Sequence, residues 1–134
     1  MNRNNMVWVK MNTPVTKLSE REKEALMKRV ADEMAKTTKL QNDVSRIQIK
    51  KGRIYLFSLH EQPQIEGVIY TVPLIDGKYI ETTYARITIL NSSDGNCCSL
   101  DWQSYDNKWM TLEEGSLEEC IQKAELSEWI EKII

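Results

Sequence analysis

The sequence predicts an α+β domain: an N-terminal helix, an antiparallel meander of about six strands and a C-terminal helix, with the helices packed on one sheet face. Three observations carry that reading. Apolar residues recur at three- and four-residue spacing only towards the two ends of the chain. Between those ends, short stretches alternate apolar with polar side chains. Turn signals at Lys51-Gly52, Asp76-Gly77 and Asp106-Asn107 separate the stretches at hairpin distances.

The first helix is announced by Ser19 with Glu22 three residues on, a capping box in which each side chain satisfies the other's backbone donor. Leu26, Met27, Val30, Ala31, Met34 and Ala35 then form one apolar stripe. Glu24 before Lys28 and Asp32 before Lys36 add favourable pairs four apart. The helix is expected from Glu20 to Thr37. With a single apolar face, it should lie on a sheet.

Two strands follow about Lys50-Lys51-Gly52, with Gly52 free to take a positive φ. Ile47 and Ile49 alternate with polar residues in the first, whereas the second is apolar on both faces. A third and a fourth strand are expected on either side of Asp76-Gly77, with Pro73 confining the third to an edge or an end. Ile87 and Ile89 fit the parity opposite to the start of the fourth strand, so a bulge is expected within it.

The last hairpin joins "CCSLDWQSY" to "KWMTL". Adjacent strand residues point to opposite faces, so Cys98 joins Leu100 and Trp102 while Cys97 joins Ser99 and Asp101. With a two-residue turn at Asp106-Asn107, Ser104 opposes Trp109, which places Trp102 and Trp109 on the same face. A second capping box, Ser116 with Glu119, opens the C-terminal helix. Leu117, Ile121 and Ala124 face inward there, and a bend is expected near Ser127 before Trp129, Ile130 and Ile133.

At 134 residues the chain fits one domain, residues 17–134, preceded by a tail or added strand at 1–16. Its 41% hydrophobic and 28% charged content is that of a globular protein. No apolar run reaches the roughly 18 residues of a membrane span, and the first residues lack the apolar centre of a secretory signal. A cytoplasmic protein is expected. Three cysteines, two of them adjacent, fit free thiols better than a disulfide framework.

Charge is divided along the chain. Residues 1–53 carry 13 Lys and Arg against 6 Asp and Glu, and residues 54–134 carry 5 against 14. Opposite halves of that kind favour docking on each other within one fold, and they also suit a charged partner.

Candidate sites follow from residue types and spacing. Cys97, Cys98, Cys120 and the lone His60 lack the spacing of a metal site, and no cofactor is implied. No phosphate-binding glycine loop and no catalytic triad pattern is present, so no catalytic residue is assigned. Carboxylates at Glu61, Glu66, Asp76, Glu81, Asp101, Glu113 and Glu114 would need to pair in a cleft to do acid–base work.

Three functional readings result. The first is a non-catalytic module acting through protein contacts, with a homodimer included, on the apolar ends around Trp8 and around Trp129 and Ile130. The second is a small-ligand or enzymatic pocket under the first helix, lined by Tyr55, Tyr84, Trp102, Trp109 and His60. The third is nucleic-acid binding through the hairpin bearing Arg46, Lys50, Lys51 and Arg53 beside Tyr55 and Phe57. The acidic pI near 5.5 disfavours the third.

Overall fold

Both capping boxes form, and the elements between them follow the alternating pattern. The computed structural model describes residues 12–62, 74–104, 106 and 108–127. Helix α1 spans Glu20–Met34 and a short helix α2 spans Lys39–Asp43. Strands β1 (Arg46–Lys50), β2 (Arg53–Glu61), β3 (Tyr79–Ile89), β4 (Cys98–Gln103) and β5 (Trp109–Gly115) precede helix α3, Leu117–Leu126. The strands form one antiparallel sheet in chain order, with helices before and after it in the sequence.

Five strands are described where about six were expected. The expected third strand falls largely in residues 63–73, outside the described residues. Strand β2 pairs directly with β3 from Arg53↔Thr88 to Glu61↔Tyr79. Only Ile75 of the expected third strand is seen in a bridge, to Tyr79 across a turn in which Asp76 and Gly77 both take positive φ. The expected bulge lies in β3: Leu56 opposes Ala85 and Phe57 opposes Thr83, which leaves Tyr84 as the extra residue.

Register then sorts the side chains. Ile47 and Ile49, Ile54 and Leu56, Ala85, Ile87 and Ile89, and Cys98 and Leu100 share one face. They form one core with Leu26, Val30 and Met34 of α1, Leu40 of α2, and Leu117, Cys120, Ile121 and Ala124 of α3. The α1 stripe is rotated from the expected one. Ala31 and Ala35 are exposed, while Glu33 is buried and held by Lys36 and Gln122. The helix ends at Met34 rather than Thr37.

Further long-range contacts fix the helices and the β3–β4 loop. Arg29 of α1 forks onto Glu118 of α3 through Nε and Nη2, at 2.8 and 2.7 Å. It also donates to the carbonyls of Asp94 and Gly95, which fixes the loop between β3 and β4. Helix α2 has no side-chain cap of its own. Its first amides, at Thr38, Lys39 and Leu40, donate instead to the carboxylate of Glu125 in α3, at 2.9, 3.2 and 3.0 Å. Burial pushes the Glu125 carboxyl up, but these amides and Lys39 together outweigh it and hold it below its ordinary value.

Gly52 has a different role from the one expected. In the β1–β2 turn the positive φ, 54°, belongs to Lys51. Gly52 is required because residues 13–15 cross beside it, antiparallel to residues 89–91. A Cβ at Gly52 would stand 1.8 Å from the Val15 carbonyl oxygen. Gly52→Ala should therefore lower the unfolding free energy by about 2–3 kcal/mol, seen as an earlier urea midpoint. An unchanged midpoint would show that the crossing segment yields freely.

Glu125→Gln should cost about 1 kcal/mol near neutral pH, the usual worth of a helix cap. Because the folded-state pKa of Glu125 lies below its unfolded value, this stability is complete above the ordinary glutamate range and is lost as pH falls through the folded pKa. Urea titrations of the two proteins should therefore converge in acid, and a constant gap would point to another cause.

Candidate binding face

The sheet face turned away from the core is neither uniformly polar nor uniformly charged. Alternation puts Arg46 and Lys50 of β1, Arg53, Tyr55 and Phe57 of β2, and Arg86 of β3 on this face. Asp101 of β4 opposes Arg86, and Trp109 of β5 opposes Gln103 on the same side.

These residues build a continuous ladder. The Arg46 guanidinium lies over the Phe57 ring, 4.2 Å from its centroid. Phe57 stacks beside Tyr55 at 6.2 Å, and Tyr55 meets Trp109 edge-on at 6.3 Å. Arg86 closes the far end, 4.2 Å from the Trp109 centroid. A carboxylate holds each terminal guanidinium. Arg46 forks onto Glu81 at 3.0 and 2.7 Å, which draws the Glu81 carboxyl below its usual range. Arg86 donates through Nε to Asp101 at 2.9 Å. Thr88, Ser99 and Thr111 complete the shell of that carboxylate, which is 2% exposed.

The expected pocket residues are therefore divided between two faces. Tyr55 and Trp109 stand in the ladder, whereas Trp102 packs against the core and Tyr84 is buried in it, donating to Asp43 at 3.1 Å. The expectation that Trp102 and Trp109 share a face is corrected by the register. Ser104 pairs with Lys108, so the turn holds three residues, Gln103 opposes Trp109, and the one-residue slip reverses the ring.

His60 lies on the core side. Its Nε2 is 2.6 Å from Thr82 Oγ1 and 3.1 Å from Ser58 Oγ, and its Nδ1 is buried with no hydrogen-bond partner among the described residues. Ser58 is 1% exposed, so its hydroxyl is closed to a substrate, and no carboxylate among the described residues orients the ring. Ser58, His60 and Thr82 thus form a polar cluster on the core side of β2 and β3.

Of the basic hairpin, Arg46 is consumed by Glu81, Lys50 and Lys51 are exposed, and Arg53 makes no ion pair among the described residues. Trp8, Trp129 and Ile130 lie outside the described residues. Arg86 was not singled out from the sequence. Its one signal there is a cation at outward parity after the bulge.

No group of three or more metal-ligating side chains occurs among the described residues, and no described helix is long and apolar enough to cross a membrane. No family model, no curated protein and no solved structure matches the chain.

The cysteines separate by burial. Cys98 and Cys120 are buried, and burial pushes both thiols up to about 12, while Cys97 is partly exposed. A maleimide reagent should label Cys97 alone in the folded protein and all three in denaturant. Equal labelling of Cys98 without denaturant would contradict the strand assignment.

Proposed function

We propose that the protein is a non-catalytic binding module that works through protein–protein contact, and that its working surface is the arginine–aromatic ladder on the face turned away from the core. The observation that carries this reading is the ladder itself: Arg46, Phe57, Tyr55, Trp109 and Arg86 in unbroken contact on one sheet face. Trp, Tyr and Arg are the residues that concentrate binding energy in protein interfaces. Held by Glu81 and Asp101, the side chains are already ordered, so a partner meets them with little further loss of rotamer freedom.

The same carboxylates weaken the nucleic-acid reading. A strand of phosphates needs a continuous positive track, and here Glu81 and Asp101 flank the rings. A cytoplasmic setting fits three cysteines that are all free.

Trp109→Ala and Arg86→Ala should each remove the partner, or the self-association, that the wild type shows in affinity capture and sedimentation velocity. The loss should be at least about tenfold in apparent affinity. Met110→Ala, at the neighbouring position of opposite parity and 52% exposed, should leave both unchanged. Identical behaviour of all three variants and the wild type would show that this face is not the working surface.

A further inference from the structure

Three guanidiniums project from β1, β2 and β3 on the ladder face, and two of them hold carboxylates. The third does not. Arg53 stands at the turn end of β2, opposite Lys50 on β1 and Thr88 on β3. Its Nε is buried, with no hydrogen-bond partner among the described residues. Lys50 and the turn residue Lys51 are exposed beside it, and neither makes an ion pair among the described residues. A partly buried cation with an unsatisfied donor costs free energy in the isolated fold. That nitrogen is closed to an anion from outside, which would pair instead with the guanidinium charge through its terminal nitrogens.

Resting on the reading of the ladder as a protein-binding face, we propose that Arg53 is its carboxylate subsite and that the partner is an extended acidic peptide segment. Arg53, Tyr55 and Phe57 follow one another at every second position of β2, about 7 Å apart. An extended peptide presents its own alternate side chains at that same spacing. A carboxylate placed on the Arg53 guanidinium, between Lys50 and Lys51, puts the next side chains of that edge over Tyr55 and Phe57. The guanidinium accepts a carboxylate as a two-point fork, which the point charge of a lysine does not reproduce. A continuous phosphate chain fits less well, because its next charges would meet Glu81 beyond Phe57.

The test uses the full-length protein and fluorescence polarisation. The probes are a labelled peptide with aspartate, leucine and tryptophan at alternate positions, its asparagine counterpart, and a labelled oligothymidylate. The wild type should prefer the aspartate peptide by about tenfold. Arg53→Met should abolish that preference while its Tm holds or rises, because an apolar side chain replaces an unsatisfied donor. Lys50→Gln with Lys51→Gln, both exposed, should weaken the preference about threefold without touching the fold. Trp109→Ala should weaken both peptides alike and keep the preference.

Each failure has its own meaning. A preference retained by Arg53→Met overturns the subsite while the face stands. Binding of both peptides unchanged in Trp109→Ala overturns the face. A fall in Tm with Arg53→Met assigns the guanidinium a structural role and overturns the subsite. So does a wild type that ignores both peptides, or one that binds the oligothymidylate instead with a steep salt dependence.

Discussion

A strand repeats its side-chain direction every two residues, and two interruptions of that repeat among the described residues shape which side chains share a face. In β3 the extra residue is Tyr84. It keeps Ile80 and Thr82 on the same side as Ala85, Ile87 and Ile89, although their numbers differ in parity. In β5 the register shifts between Leu100 and Asp101, and Leu112 turns towards the core there. Thr111 and Trp109, on the turn side of that shift, lie on the face that carries Arg86 and Asp101.

Two ion pairs among the described residues join the basic half of the chain to the acidic half. Arg29 of the basic half holds Glu118 of the acidic half, and Arg46 holds Glu81. Each pair is a fork rather than a single contact, which gives direction as well as attraction. The pairs are half-exposed, so their worth lies less in raw stability than in fixing where α1, α3 and β1 sit. At the turn of the first hairpin Arg53 stands near Lys50 and Lys51, and none of the three makes an ion pair among the described residues.

What was legible in the sequence was what is local. The capping boxes at Ser19–Glu22 and Ser116–Glu119 are closed within four residues, and both form. The turn at Asp76-Gly77 and the parity break in β3 were readable for the same reason. Helix α2 was not, because its cap comes from Glu125 and no nearby residue announces it. The need for Gly52 was placed in its own dihedral, whereas it comes from Val15 passing alongside. The face of Trp109 depends on whether the turn holds two or three residues, and Ser104 to Lys108 suits either length. Arg86 acquires its meaning only from Asp101 and Trp109, which are supplied by other strands.

The Glu125 contact also bears on the order in which the molecule assembles. A helix of five residues does not persist alone, since nucleation costs more than so few hydrogen bonds return. Its first turn is completed by a carboxylate 85 to 87 positions further along the chain. Helix α2 therefore cannot be an early local structure. It closes when the C-terminal helix docks, and the exchange of the Thr38, Lys39 and Leu40 amides with solvent reports that docking from the opposite half of the chain.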